Sequence, residues 1–235
     1  MYTILMFDLD DTLTDDYENI KYAFKKVAEY SKIDYTEQNL EKFWKMDRAI
    51  WKERAEGKIV TPYENDKKKK TEWLRAYRFL EFFDNKITYE EAVRINNIYM
   101  EGMKQNVVAR EGCYETIKYL KKKGYKIIIA TNGPIIPLKT KIEKIKIDEF
   151  VDFVFSAEEI GFMKPHKLFY EAIFEKAKIT EKDRILFIGD ELDKDIKGAI
   201  ENNIDTCWCN YKKEKNDKYE VNYEIHNIID LKQIL

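Results

Sequence analysis

The stretch Tyr2-Thr3-Ile4-Leu5-Met6-Phe7-Asp8-Leu9-Asp10-Asp11-Thr12-Leu13 joins an apolar run to a cluster of acids. Residues 2–7 predict a buried strand, and the acids then follow its carboxyl end. Asp8 and Asp10 are two residues apart, so their side chains tend to point the same way. Crowded carboxylates repel unless a cation lies between them, and Mg²⁺ is the expected partner. The alternative is an Asp-rich turn that bonds its own backbone.

A second acidic cluster follows another apolar run near the end of the chain. Residues 184–188 predict a strand that ends in Gly189-Asp190, and Asp195 falls in the first turn of the next predicted helix. Capping and the helix dipole also favour Asp near a helix start. Capping does not explain two acidic clusters at strand ends, so the pair of clusters favours a metal site.

Strands and helices alternate from residue 108 onward, which predicts a doubly wound, Rossmann-like parallel α/β sheet. Ligands of such sheets bind beyond the carboxyl ends of the strands. After the strand at the N-terminus, the remaining predicted strands are 125–130, 152–156, 184–188 and 205–208. One predicted helix ends at Lys123, and three more span 137–145, 167–176 and 192–202.

The intervening part of the chain has a different pattern, with apolar and aromatic residues at helical spacing and almost no glycine. It predicts about four helices, with breaks near 33–36, 57–62 and 84–88. We therefore expect an α/β core domain of residues 1–15 and 108–235, and an all-helical cap domain of residues 16–107. An insert that follows a strand end can act as a lid over the binding edge.

Two weaker signals lie between the acidic clusters. Thr131-Asn132-Gly133 follows a predicted strand and offers a hydroxyl and backbone N–H groups to phosphate oxygens, although an ordinary turn has the same composition. Lys164-Pro165 places a lysine where it can neutralise a nucleophile and a phosphoryl group, and a surface lysine is the alternative.

Bulk composition narrows the class of protein. The 235 residues are 44% hydrophobic and 37% charged, with a net charge of −2, so we expect a folded protein without the basic excess that a nucleic-acid polymer requires. Three cysteines without a framework spacing, and the absence of a leader-like N-terminus, predict a reduced cytoplasmic protein. No apolar run is long enough for a membrane span. We expect a monomer or a homodimer.

Taken in order, the motifs Phe7 to Leu13, Thr131 to Gly133, Met163 to Pro165 and Gly189-Asp190 with Asp195 resemble those of the haloacid dehalogenase-like hydrolase superfamily. The resemblance covers residues 8 to about 208. It implies a parallel sheet of strand order 5-4-1-2-3, and the helical block resembles the inserted cap that this superfamily calls C1.

The resemblance also implies a role for each motif residue. Asp8 would be the nucleophile and a magnesium ligand. Asp10 would be the general acid and base, and it would bind the metal through its carbonyl. Thr131 and Lys164, with Asn132 and Gly133, would hold the phosphoryl group. Asp190 and Asp195 would complete the Mg²⁺ site. Phosphoryl transfer needs this kind of positioning and charge stabilisation more than covalent help.

Two further features resemble the pyrimidine nucleotide 5′-nucleotidase branch: the Thr-Asn-Gly form of the second motif, and the cap segments 51–59 and 78–83. We therefore predict a Mg²⁺-dependent phosphatase that hydrolyses small phosphate monoesters through a phosphoaspartate, specifically a 5′-nucleotidase for pyrimidine nucleoside 5′-monophosphates. Trp51, Arg78 and Phe79 are the predicted cap contacts to the substrate. A departure from the branch is the charged segment 63–72, which looks longer than usual.

Three other interpretations of the sequence remain open. The same chemistry suits a phosphatase or phosphomutase for a small sugar or acid phosphate. A signalling receiver domain also uses an Asp pair, Thr and Lys, but it is phosphorylated at its third strand end, which here is Ser156-Ala157, and it has no large helical insert. The chain could also be a binding protein without catalytic activity, but only if a motif residue lies away from the others in the folded protein.

Overall fold

The computed structural model describes residues 1–63, 66–133 and 135–235. It divides into two compact units, Met1–Asp16 with Val107–Leu235, and Tyr17–Asn106. Glu64 and Asn65, in the predicted charged segment 63–72, lie outside the described residues. In the described part of the chain, no helix combines the length and the apolar character that a membrane span needs.

The first unit contains one parallel sheet, with six strands among the described residues. In chain order these are β1 (Ile4–Phe7), β2 (Lys126–Thr131), β3 (Phe153–Ser156), β4 (Ile185–Gly189), β5 (Asp205–Cys209) and β6 (Tyr223–Ile225). They lie in the order β3-β2-β1-β4-β5-β6. Read from the other edge, the five predicted strands have the order 5-4-1-2-3, so the predicted sheet is confirmed. The sequence did not predict β6, which adds three residues beside β5.

The central strand β1 is buried on both faces, which explains its continuous apolar sequence. Leu5 and Phe7 belong to one apolar cluster, and Met6 belongs to the cluster on the opposite face. Helices cover both clusters. Those of this unit are α5 (Cys113–Lys122), α6 (Ile135–Lys144), α7 (Ala157–Ile160), α8 (Lys167–Lys176), α9 (Lys197–Glu201) and α10 (Leu231–Ile234).

One predicted helix differs from the structure. The sequence predicts a single helix over 192–202, whereas Leu192–Ile196 form a wider π-helical turn that leads into α9. The Ile196 N–H bonds to the Glu191 carbonyl at 3.3 Å, five residues back. The turn places Asp195 so that its Oδ2 accepts the Glu191 N–H at 3.0 Å. Such turns often occur at functional sites.

The second unit is built from four helices within its described residues, of which the first begins at the end of the first unit. They are α1 (Asp16–Ser31), α2 (Glu37–Ala55), α3 (Lys67–Phe82) and α4 (Tyr89–Gln105). Thr36, Asp66 and Thr88 cap the last three by accepting a backbone N–H three residues ahead. The core contains stacked rings, with Phe43 5.1 Å from Phe24 between ring centroids.

Gly102 allows α1 and α4 to approach closely within this unit. A Cβ at Gly102 would lie 2.8 Å from the Ala23 Cα, which is backbone and does not move aside easily. In an exposed helix interior, Gly→Ala stabilises by about 1 kcal/mol. Here we expect Gly102→Ala to destabilise the protein by about 1–3 kcal/mol, because the added methyl overpacks the contact.

Thermal unfolding measures this effect, with Asn97→Ala at an exposed position of α4 as the matched control. The control is expected to leave the melting temperature unchanged or slightly higher. A Gly102→Ala protein as stable as the control would contradict the close packing.

Candidate active site

The candidate site lies at the carboxyl ends of three neighbouring strands. Phe7, the last residue of β1, pairs with residues of both β2 and β4. Asp8 therefore leaves the sheet next to Thr131 at the end of β2 and Asp190 just after β4. This is the sheet edge at which doubly wound folds bind ligands.

Lys164 joins two of the acids. Its Nζ lies 2.6 Å from Asp8 Oδ1 and 2.7 Å from Asp195 Oδ1, and only 2% of its side chain is exposed. Asn132 fixes the Lys164 backbone: its Oδ1 accepts the Lys164 N–H at 2.7 Å, and its Nδ2 donates to the Lys164 carbonyl at 3.1 Å. Burial alone would lower the pKa of Lys164, but Asp195 and Asp8 outweigh it and raise the pKa, so the lysine is charged.

Three carboxylates meet beside Lys164. Asp8, Asp190 and Asp195 each place an oxygen within 4.8 Å of the other two. The Thr12 hydroxyl donates to Asp190 Oδ1 at 2.9 Å. Gly189 makes the approach of Asp195 sterically feasible, because a Cβ at position 189 would lie 2.5 Å from the Asp195 side chain.

The charge of this cluster is compatible with a divalent cation. Lys164 pairs with two of the three carboxylates, so its one positive charge does not balance their negative charge. Burial raises the pKa of Asp8 despite the opposing effect of Lys164, and burial together with the neighbouring acids raises the pKa of Asp190. A cation would favour the charged form of each acid, and carboxylate oxygens are the ligands that Mg²⁺ takes. The donor set therefore fits Mg²⁺.

Asp10 is held separately from this trio. Lys141 Nζ lies 2.5 Å from Asp10 Oδ1 and 2.8 Å from Asp16 Oδ1. Burial and Asp16 raise the pKa of Asp10 to about 6, although Lys141 opposes the rise. Burial would lower the pKa of Lys141, but the two acids raise it above its usual range. Asp10 thus lies two residues from Asp8 but in a different electrostatic setting.

The turn after β2 follows Thr131, which is buried. The Gly133 N–H donates to Thr131 Oγ1 at 3.0 Å. A Cβ on Gly133 would lie 3.1 Å from Asp10 Oδ2 and 3.3 Å from Thr131 Oγ1, so the Asp10 carboxylate faces this turn. A glycine here keeps the space above the turn open.

The three predicted cap contacts lie in the helical unit. Arg78 is buried and bonds to Asp47 Oδ1 at 3.0 Å and to Asn96 Oδ1 at 2.9 Å. Phe79 is completely buried in the aromatic core of that unit. Trp51 is partly exposed, and its Nε1 donates to Asp47 Oδ1 at 3.1 Å. Their role as substrate contacts stays a prediction.

Sequence reasoning missed Lys141, although a signal was present. Leu138, Ile142 and Ile145 recur at helical spacing and are buried, and Lys141 falls on the same face. A lysine at a core-facing position is rarely buried without a partner. Thr12 was part of the first motif, but its bond to Asp190 was not predicted.

A family model for haloacid dehalogenase-like hydrolases matches residues 2–203. The match spans most of the 235 residues. The chain belongs to this hydrolase family. The resemblance inferred from the motifs is confirmed, and the receiver-domain reading is set aside.

Two curated relatives are named pyrimidine 5′-nucleotidases. YjjG of Escherichia coli (strain K12) is 23% identical, over 98% of this chain and 96% of the relative. PynA of Streptococcus pneumoniae is 26% identical, over 98% and 93%. A third relative, glyceraldehyde 3-phosphate phosphatase of Pyrococcus furiosus, is 28% identical, over 99% and 91%. All three names describe phosphatases, and they differ in the ester cleaved.

Among solved structures, the HAD-hydrolase YfnB of Bacillus subtilis has the same fold. It superposes with a TM-score of 0.86 and 24% identity, over 99% of this chain and 98% of that one. That structure is described as bound to magnesium and as revealing interdomain movement. The likeness supports the fold of this hydrolase.

The raised pKa of Asp190 predicts a stability effect of removing its charge. Burial and neighbouring acids raise the pKa of Asp190 above its ordinary value of 3.8 in the folded protein. The folded state therefore loses stability as the pH rises from that value through the raised pKa. We expect Asp190→Asn to melt higher than wild type at pH 8 in EDTA, by about 2–4 °C for each kcal/mol of burial cost and repulsion removed. Added Mg²⁺ should raise the melting temperature of wild type much more than that of the variant.

The control for this measurement is Asp193→Asn, because Asp193 is exposed and pairs with Lys218 instead of the trio. The control should keep the response to Mg²⁺. An Asp190→Asn protein that is less stable than wild type in EDTA would contradict a net cost of the Asp190 charge in the metal-free protein.

Proposed function

We propose that this phosphatase hydrolyses pyrimidine nucleoside 5′-monophosphates through a phosphoaspartate on Asp8. The observation that carries the proposal is the fixed carboxylate of Asp8, bonded to Lys164 beside Asp190 and Asp195, with Asp10 two residues away. A nucleophile, a charge-balancing cation and a separate proton carrier are the parts that phosphate ester cleavage requires.

The first step transfers the phosphoryl group. A carboxylate oxygen of Asp8 attacks phosphorus, and the bond from phosphorus to the ester oxygen breaks. Asp10 gives its proton to that oxygen, so the alcohol leaves neutral. A carboxyl whose pKa is raised to about 6 can hold this proton near neutral pH.

The second step returns the enzyme to its starting state. Water attacks the phosphorus of the phosphoaspartate, and Asp10, now ionised, takes the proton of the water. The bond from phosphorus to the Asp8 oxygen breaks, which releases inorganic phosphate. Asp10 thus acts as acid and then as base, and this second carboxylate distinguishes phosphatase chemistry from dehalogenation, in which no leaving alcohol needs a proton.

The remaining site residues would bind and stabilise the phosphoryl group. Lys164 lies against Asp8 and would neutralise charge on both the nucleophile and the phosphoryl oxygens. Thr131 would donate its hydroxyl, with Asn132 and Gly133 in the same turn. Mg²⁺, held by Asp8, Asp190 and Asp195 and by the Asp10 carbonyl, would supply positive charge next to those oxygens when bound.

The substrate assignment is supported by two relatives with pyrimidine 5′-nucleotidase names and by the cap motif around Trp51. A specific observation favours a second candidate. Glyceraldehyde 3-phosphate phosphatase of Pyrococcus furiosus is 28% identical over 99% of the chain, and Arg78 and Phe79, predicted to contact the substrate, are buried within the helical unit. The alternative is therefore a small sugar or acid phosphate, processed by the same residues.

Asp8→Asn tests the nucleophile. We expect phosphate release to be lost in this variant, because an amide does not form the phosphoaspartate, and release by wild type to stop in EDTA. The assay measures inorganic phosphate from UMP with and without Mg²⁺, and Asp193→Asn serves as the matched control with retained activity. Equal release by wild type and Asp8→Asn would overturn the mechanism.

A panel of esters tests the substrate. We expect kcat/KM to be highest for UMP, dUMP or dTMP and lower for purine nucleotides and glyceraldehyde 3-phosphate, all measured with Mg²⁺. A preference for glyceraldehyde 3-phosphate or another sugar phosphate would keep the mechanism and replace the substrate with the alternative.

A further inference from the structure

Lys141 is buried and meets two partly exposed acids of the first unit. Its Nζ is 2.5 Å from Asp10 Oδ1 and 2.8 Å from Asp16 Oδ1, and 7% of its side chain is exposed. The Thr14 hydroxyl also donates to Asp16 Oδ1, at 3.2 Å. A charged lysine is rarely this buried unless it is paired, so the ammonium of Lys141 depends on the two acids.

The position of Lys141 on α6 explains why its ammonium group reaches Asp10. Leu138 and Ile142 lie on the same helix face and pack in the core beside Leu5 and Phe7 of β1. The stem of Lys141 therefore enters apolar surroundings, and its charged end meets the loop that follows β1. Asp10 and Lys141 are 131 residues apart in the sequence, and the packing of α6 on the sheet brings them together.

This contact orients the Asp10 carboxylate. Oδ1 accepts the Lys141 ammonium, and Oδ2 faces the turn after β2, where a Cβ on Gly133 would lie 3.1 Å away. The same hypothetical Cβ would lie 3.3 Å from the Thr131 hydroxyl. Fixing one oxygen thus aims the other at the turn proposed to hold the phosphoryl group.

We infer that Lys141 is a positioning residue that holds Asp10 in the orientation needed to exchange protons with the ester oxygen and with water. The inference rests on the proposed function. Lys141 acts through Asp10 and does not itself contact the ester oxygen or the water. Its role differs from that of Lys164, which lies against the nucleophile Asp8.

Two esters with different leaving groups separate this role from a general structural one. UMP and glyceraldehyde 3-phosphate release an alkoxide that needs a proton, whereas 4-nitrophenyl phosphate releases a stable phenolate that does not. We therefore divide kcat/KM for the alkyl ester that wild type cleaves by kcat/KM for 4-nitrophenyl phosphate. This ratio reports proton donation in the first step. A misplaced general acid lowers this ratio, and a damaged fold lowers both values together.

The test variant is Lys141→Met, which keeps the length of the stem and removes the ammonium. We expect kcat/KM for the alkyl ester to fall about 10²-fold, as for a misplaced reacting group, and that for 4-nitrophenyl phosphate to fall much less. Lys141→Arg, which keeps a charged donor, should recover much of the loss. Lys139→Met, at an exposed position of α6, is the matched control and should retain the wild-type ratio.

A second variant keeps the test decisive if Lys141→Met does not fold. Two carboxylates and one ammonium give the cluster a net charge of −1, and Lys141→Met combined with Asp16→Asn leaves one carboxylate and the same net charge. The same fall in the ratio is expected in this double variant.

The outcomes distinguish the inference from the proposed function. Equal losses on both esters, or no loss in a folded Lys141 variant, would overturn the positioning role while the phosphatase stands. A wild-type protein that releases phosphate from neither the alkyl esters nor 4-nitrophenyl phosphate would overturn the proposed function, and the role of Lys141 with it.

Discussion

The gathering of negative charge at the carboxyl end of β1 is the constraint on which the rest of the site depends. Asp8 and Asp10 leave the central strand two residues apart, and Asp190 approaches Asp8 from the end of the neighbouring strand β4. Buried carboxylates persist when they are paired or bind a metal. Two buried lysines supply part of the pairing, because Lys164 and Lys141 each contact two acids.

These two lysines give neighbouring aspartates different surroundings. Asp8 shares its lysine with Asp195, inside the trio that fits a cation, whereas Asp10 faces the turn after β2 and bonds to Lys141. Acid–base assignments in enzymes often follow from such unequal surroundings of nearby titratable groups. The proposed mechanism uses this difference: one carboxylate attacks phosphorus and the other carries protons.

Close approach of charged side chains to the backbone imposes its own requirements on the fold. Asp195 occupies space that a side chain at Gly189 would fill, and the π-helical turn over Leu192–Ile196 sets its position. Gly133 leaves the same kind of space beside Asp10. The strands that carry these loops are buried on both faces, which gives the site a rigid base.

The sequence by itself determined the sheet, its order through the family resemblance, and the acids as site candidates, because strand periodicity and strand-end acids are local patterns. It did not determine the short edge strand β6, because three residues give only a weak strand pattern. It did not determine the π-helical turn either, because the local pattern there resembles that of an ordinary α-helix. The motifs indicated Lys164 as the partner of the nucleophile, but only the tertiary structure showed that Lys141 pairs with Asp10 and that Lys164 also contacts Asp195. Lys141 meets Asp10, and Lys164 meets Asp8, across separations of 131 and 156 residues. Such pairings depend on how α6 and the loop after α7 pack against the sheet, which no local pattern records.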